Sequence, residues 1–205
     1  MRHTAENGFT IYELMITILI VGIVLALGLP NLGVFKKDNR ISVTINDLQN
    51  TFRVARSEAV RAKANVTICA SDNSQSPDAG CGGRWHNGYI AFVDIDGNLA
   101  RDGADETLLK AIPAVADGVR LVVADDAKYF GITPAGTGRG QLGAHAAVSQ
   151  IVVCDERGPV ESSRGRSAAH LFVATPLGLA TTTHEYVAVS GALQQMNKSC
   201  DQGRD

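Results

Sequence analysis

The hydrophobic pattern changes character as the chain proceeds. Residues 9–29 are almost all apolar, on every side of any helix drawn through them, and Pro30 ends the run. At about 1.5 Å per residue such a helix reaches about 30 Å, the thickness of a bilayer's hydrocarbon core, so 9–30 is predicted as a transmembrane or assembly helix. Beyond the proline the pattern turns amphipathic. Ile41, Ile45, Leu48, Phe52, Ala55 and Ala59 recur every three or four residues, while Asn46, Asn50, Arg53, Ser57 and Arg61 occupy the other side. This predicts an amphipathic continuation within 31–64, helical again by about Asp38 and running to about Lys63.

From there the apolar runs shorten. Residues 66–70, 88–94, 107–112, 119–124, 148–154, 170–175 and 185–189 are apolar or alternating, separated by Gly, Pro, Asn and Asp, and read as strands. The stretch Pro134-Ala135-Gly136-Thr137-Gly138-Arg139-Gly140 reads as a surface loop. No helix-length apolar pattern separates the strands, which points to antiparallel pairing in one or two sheets rather than a doubly wound fold. The fold class expected is α+β, a long N-terminal helix packed on an antiparallel sheet domain over 65–205. Without its first 30 residues the chain retains roughly 175, enough for one globular domain with a real core.

Composition narrows the function classes. The formal net charge of -2 and pI of about 6.2 supply no global basic field to recruit nucleic acid, although a local patch remains open. The four cysteines, at 69, 81, 154 and 200, form no C-x-x-C pair, so a disulfide framework fits better than a zinc site and suits an oxidising periplasm. Three connectivities satisfy four cysteines. Cys69 and Cys81 bracket a polar loop at 71–80, so Cys69 is paired with Cys81 and Cys154 with Cys200.

Glu13 is the oddity of the apolar run, the only group there that is charged at neutral pH. A charge inside a spanning helix costs on the order of 3 kcal/mol, and it either snorkels to the interface or finds a partner. What precedes it suggests which. Gly8-Phe9-Thr10-Ile11-Tyr12-Glu13 resembles the class III leader site of type IV pilins and pseudopilins. The resemblance implies a leader over 1–8, cleavage by a prepilin peptidase between Gly8 and Phe9, N-methylation of Phe9, a helix bend at Pro30, and an assembly role for Glu13. In that role its carboxylate meets the amino terminus of a neighbouring subunit and sets register, because either charge left unpaired is penalised.

An ordinary signal peptide cut near Ala26-Leu27-Gly28 is the competing reading. Against it, Arg2 is offset by Glu6 and the apolar run exceeds a usual signal core. Lys36, Lys37 and Arg40 outnumber Arg2, so flanking charge alone orients the helix the other way, and export of the remainder rests on the cysteines and the resemblance.

A second stretch carries the resemblance into the sheet domain. Arg84-Trp85-His86-Asn87-Gly88-Tyr89-Ile90-Ala91-Phe92-Val93-Asp94 is similar to the W-x-x-G-[WY]-x-x-F-x-D strand of the FimT/FimU and GspH branch of minor pilins. Ala-Arg-Ser-Glu-Ala at 55–59 belongs to the same pattern. The likeness weakens after Ala124. It implies an inner-membrane subunit with a periplasmic domain that later joins a pilus or a periplasmic pseudopilus. Its partners would be other major or minor pilins or pseudopilins, prepilin peptidase and the inner membrane. Roles in pilus priming, twitching motility, adhesion or DNA uptake follow from the resemblance, with a GspH-like pseudopilin of type II secretion as the alternative.

Asp94, Asp96, Asn98, Asp102, Asp105 and Glu106 supply oxygens suited to calcium, and Asp94, Asp96, Asn98 and Asp102 form the candidate set. An EF-hand count starting at Asp94 puts Leu99 where glycine is needed and Asp105 where glutamate is needed, so a solvated hairpin loop explains the same letters. DNA uptake in the FimT branch uses a Gly-Arg-x-Arg phrase, and the corresponding Ala174-Thr175-Pro176-Leu177-Gly178-Leu179-Ala180-Thr181 lacks both arginines. Arg157, Arg164 and Arg166 remain as a basic loop for weak DNA or partner contact. No enzyme is expected and no cofactor. The histidines at 3, 86, 145, 170 and 184 are scattered, and Gly138-Arg139-Gly140-Gln141-Leu142-Gly143 matches a dinucleotide fingerprint only as a string. His170 is expected at a sheet surface, and Trp85 and Tyr89 in the core.

Overall fold

The computed structural model describes residues 8–102, 105–125, 127–140 and 146–201; the side chains of 27–31 and 146 lie outside that description. The chain divides into two compact units, 1–39 and 40–205.

Helix α1 (Ile11–Ala62) is 52 residues long and belongs to both. It is helical through Pro30, where the sequence pattern predicts a stop and a resumption near Asp38. Proline in a helix interior removes one hydrogen bond and crowds one carbonyl, and here those local costs do not end the helix. Among the described residues no helix is long and apolar enough to cross a membrane, and 27–29 of the apolar run fall outside the described side chains.

The second unit holds the sheets. The first has the order β3-β2-β1-β5-β6, built from β1 (Asn65–Ala70), β2 (Tyr89–Asp94), β3 (Leu108–Ile112), β5 (Ala127–Ile132) and β6 (Gly138–Arg139), with β7 (Ala146–Ala147) also on β5. The second has the order β10-β9-β8-β4, built from β4 (Arg120–Val122), β8 (Gln150–Cys154), β9 (Arg166–Ala174) and β10 (Ala180–Glu185). Pairing among the described strands is antiparallel except for the short β5–β7 pair.

One core joins both sheets to α1. Ile41, Ile45, Leu48, Phe52, Ala55 and Ala59, the stripe predicted from spacing, are all buried. They pack on alternate residues of both sheets, including Val66 and Ile68 of β1, Ile132 of β5, Val153 of β8 and Ala174 of β9. Phe52 is central to this contact: its ring centroid lies 4.6 Å from Phe130 in the first sheet and 5.9 Å from Phe172 in the second.

Each sheet has its other face covered separately. Helix α2 (Tyr186–Met196) covers the second, burying Val189, Ala192 and Leu193 against Val152 and Leu171. Residues 186–189 are therefore helix, and of the strand expected over 185–189 only Glu185 lies in one, at the end of β10. A short apolar run fits either period, and the positions 189, 192 and 193 mark one helical face that the second sheet needs. On the first sheet, Cys69, Ile90, Phe92 and Tyr129 are covered by the loop carrying Ala79.

The disulfides close as paired from the sequence. Cys69 bonds Cys81, with Cα atoms 5.5 Å apart, pinning the covering loop to β1. Cys154 bonds Cys200, with Cα atoms 6.1 Å apart, tying the tail beyond α2 to β8. The 134–140 segment differs from the expected plain loop, because Gly138 and Arg139 pair with Ile132 and Gly131 as β6.

Candidate assembly and contact sites

The start of α1 is closed by its own side chains. Thr10 Oγ1 accepts from the Glu13 backbone N–H at 3.2 Å, and Glu13 Oε2 accepts from the Thr10 backbone N–H at 3.2 Å and from the Thr10 hydroxyl at 3.2 Å. This reciprocal pair is a capping box, which satisfies two backbone donors that a helix start leaves open. The Thr-x-x-Glu spacing is the signal for it in the sequence, where the apolar surroundings of Glu13 instead point to lipid or a neighbouring chain. Around this cap the surface is apolar. Phe9 is 81% exposed, and Ile11, Tyr12, Leu14, Met15, Ile18, Leu19 and Val24 are exposed too. A helix apolar on all sides normally has its whole circumference covered. Pro30 is helical, and its side chain lies outside the described residues, as do residues 1–7 of the expected leader.

The Trp85 stretch builds the centre of the first sheet. A short 3-10 helix (Trp85–Asn87) leads to Gly88, whose φ of 134° suits glycine. A Cβ there would stand 2.6 Å from Ser74 Oγ and 2.7 Å from the Ile112 carbonyl oxygen. Trp85 donates its Nε1–H to the Ala127 carbonyl at 3.4 Å, and its ring lies tilted against Tyr89 with centroids 5.9 Å apart. Burial pushes the Tyr89 phenol well above its ordinary pKa, and the negative charge of Asp47 adds to this. Both rings are core anchors, as expected.

At the far end of β2, Asp94 is fully buried and held from two sides. Thr67 donates its hydroxyl to Oδ2 at 2.6 Å, and Arg139 reaches the same oxygen at 3.3 Å. Arg139 arrives from β6 by crossing β5 over Gly131, where a Cβ would stand 2.9 Å from Arg139 Cβ. It also donates to the Gly97 carbonyl at 2.7 Å. Glu106, buried, accepts from the Ile95 N–H at 3.3 Å and the Asp102 N–H at 2.8 Å, folding the loop back on itself.

The acidic residues are thus regrouped relative to expectation. Asp94 and Asp96 come together with Glu106, their ligand oxygens within 4.8 Å of one another. Asn98 spends its amide on Asp96 at 2.8 Å and Asp102 at 3.3 Å. Side-chain and backbone contacts two residues apart, such as the Asn98 N–H to Asp96 at 3.1 Å and the Ala100 N–H to Asn98 at 2.6 Å, give the hairpin-loop geometry that the sequence also suggests.

The three arginines of the basic loop separate. Arg157 grips Asp155 with its Nε and Nη2, at 3.0 Å and 2.7 Å to Oδ2, and so is committed within the fold. Asp155 is buried, which makes that pairing structural. Arg164 and Arg166 flank the turn at Gly165 and are exposed. The 174–181 stretch forms the β9–β10 turn, closed by the Thr175 N–H to the Leu179 carbonyl at 2.8 Å, with Leu177 and Leu179 exposed where arginines were looked for.

His170 and His184 stack across β9 and β10 at 5.1 Å, while His86 lies in the 3-10 helix near Trp85. His3 and His145 lie outside the described residues. The Gly138 string opens in strand β6 and continues into 141–145, also outside them, so no helix start for a phosphate is described behind its first glycine.

Comparison with known proteins matches this arrangement to a family. Residues 44–171 match the family described as GspH, type II transport protein GspH. No curated protein matches the chain. Among solved structures, it is similar to the type IV minor pilin FimU of Pseudomonas aeruginosa strain PAO1 in space group P21. Identity is 15%, the match covers 72% of this chain and 90% of that one, and the TM-score is 0.45. The same protein in space group P65 matches at 12% identity, 67% and 87% coverage and a TM-score of 0.37. With residues 44–171 spanning much of the amphipathic part of α1 and most of both sheets, the chain belongs to the GspH family.

Proposed function

We propose that the chain is a prepilin-type minor pilin. Prepilin peptidase removes 1–8 after Gly8 and Phe9 becomes the methylated amino terminus. The whole apolar run of 9–30 is held in the inner membrane before polymerisation, with the β-rich domain on the periplasmic side. In the assembled type IV pilus the run packs against its counterparts in other pilins, and the domain surfaces select the adjacent subunit. Priming of the pilus, twitching motility, adhesion and DNA uptake are the activities such a subunit would serve.

The observation that carries this reading is an apolar helix exposed around its whole circumference, with Glu13 as the sole charge from Phe9 to Leu25. Such a surface is stable only against lipid or other helices. The test is a photo-crosslinking residue placed at Tyr12 in cells, with the captured protein and the mature amino terminus read by mass spectrometry. Capture of another pilin-type subunit by a chain beginning at Phe9 is expected. An intact Met1, a chain beginning at Leu29, or no captured subunit would overturn it.

The description of the matched family supports a second reading, a pseudopilin of a type II secretion system. Purified pili containing the subunit favour the first reading; loss of secreted proteins on deletion, with pili unchanged, favours the second. DNA contact rests on Arg164 and Arg166 once Arg157 is bound to Asp155, and a band shift lost on Arg164→Ala with Arg166→Ala is its test.

A further inference from the structure

The acidic end of β2 gathers three carboxyl groups. Asp94, Asp96 and Glu106 converge there, and Arg139 reaches Asp94 Oδ2. Arg101, close by, turns its guanidinium to the backbone carbonyls of Pro77, Ala79 and Glu106 instead. Asp94 is 0% exposed, and while its Oδ2 is shared by Thr67 and Arg139, its Oδ1 is buried without a hydrogen-bond partner. A buried carboxylate oxygen left without a partner is unfavourable, and a cation supplies one. The Asp96 oxygen that accepts the Asn98 N–H keeps a further lone pair.

An all-oxygen set with three carboxyl groups suits a hard cation. Calcium takes six to eight oxygens in flexible geometry, whereas magnesium demands a near-ideal octahedron, so an irregular loop cluster suits calcium better. We propose that Asp94, Asp96 and Glu106 form a calcium site, with Asp94 Oδ1 as its buried ligand and water and backbone oxygens completing the shell. Glu106 thereby takes the place that the sequence assigned to Asn98 and Asp102. The inference does not depend on the pilin reading. Its consequence is local: Asn98, Leu99 and Ala100 of the same loop wall a cleft beside the Cys69–Cys81 bond, and a bound cation fixes that wall.

The test uses the full chain in detergent, stripped with EDTA and titrated with calcium chloride by calorimetry, with magnesium chloride in parallel and thermal unfolding followed by circular dichroism. One saturable site with a Kd on the order of 10⁻⁴ to 10⁻³ M is expected, with magnesium at least about tenfold weaker. The melting temperature should rise by about 3–5 °C at ten times the Kd. Asp96→Asn, at an exposed side chain, and Glu106→Gln should each weaken binding by about tenfold or more while the calcium-free spectrum stays unchanged. Asp94→Asn should abolish binding; should that variant not fold, the other two decide. No heat and no thermal shift at about 5 mM calcium, or parental affinity in both Asp96→Asn and Glu106→Gln, would overturn the site, and equal magnesium binding would overturn its assignment to calcium.

Discussion

Replacing Thr10 by alanine removes the hydroxyl that accepts the Glu13 N–H at 3.2 Å and donates to the Glu13 carboxylate, yet leaves that carboxylate in place. Replacing Glu13 by glutamine does the reverse, keeping an oxygen able to accept the Thr10 N–H while deleting the charge. The energies differ enough to separate the observed cap from the proposed assembly role of Glu13. A helix cap is worth about 1 kcal/mol, or roughly a fivefold change in an equilibrium. Stranding a neighbour's ammonium in apolar packing costs about 3–5 kcal/mol, or roughly two to four orders of magnitude in association. The assay is the amount of subunit in sheared filaments or in complexes with neighbouring pilins, at matched membrane levels, with the amino terminus checked by mass. Thr10→Ala should stay within about fivefold of the parent, whereas Glu13→Gln should fall by about a hundredfold or more. Equal losses for the two would reduce Glu13 to a cap, and full incorporation of Glu13→Gln would remove the charge from assembly altogether.

Other outcomes follow from the core, the disulfides and one loop carboxylate. Phe52→Ala, at a residue 3% exposed between Phe130 and Phe172, should lower stability by about 3–5 kcal/mol in urea denaturation, and a double-mutant cycle with Phe130→Leu should show coupling of about 1 kcal/mol. Opening Cys154–Cys200, which closes a separation of 46, should cost about 4 kcal/mol, and opening Cys69–Cys81, at 12, about 3 kcal/mol by chain entropy; serine variants in the same denaturation assay should keep that order. The Asn87 side chain and then the Arg84 backbone N–H hold the Asp72 carboxyl below its ordinary pKa, so its contribution to stability is complete above the usual Asp range and is lost as pH falls through the lowered value. NMR titration of Asn87→Ala should return Asp72 towards about 3.9.

Legibility in the sequence followed the range of the interactions. The α1 stripe could be read because Ile41, Ile45, Leu48, Phe52, Ala55 and Ala59 obey one local period and all face the same core. The Cys69–Cys81 pairing was readable from a short polar loop between its ends. Strand β5 was not, since Gly131 interrupts the apolar run of 127–132, and its reason is Arg139 passing overhead from another strand. Helix α2 was hidden for a related cause: Tyr186-Val187-Ala188-Val189 has strand-like letters, and only the uncovered face of Val152 and Leu171 selects a helix. In the acidic stretch, the convergence of Glu106 with Asp94 and Asp96 was not legible, because the fold back of the loop is set by hydrogen bonds to backbone N–H groups that no spacing rule shows.

The disulfides have a mechanical consequence. Cys69–Cys81 staples the first sheet to its own covering loop, and Cys154–Cys200 staples the second to the tail beyond α2, so neither covalent bridge runs from one sheet to the other. The seam between the halves is held by packing beneath α1, with Phe52 touching an aromatic ring on each side. A load on the seam is therefore borne by side-chain packing along α1, and by neither disulfide.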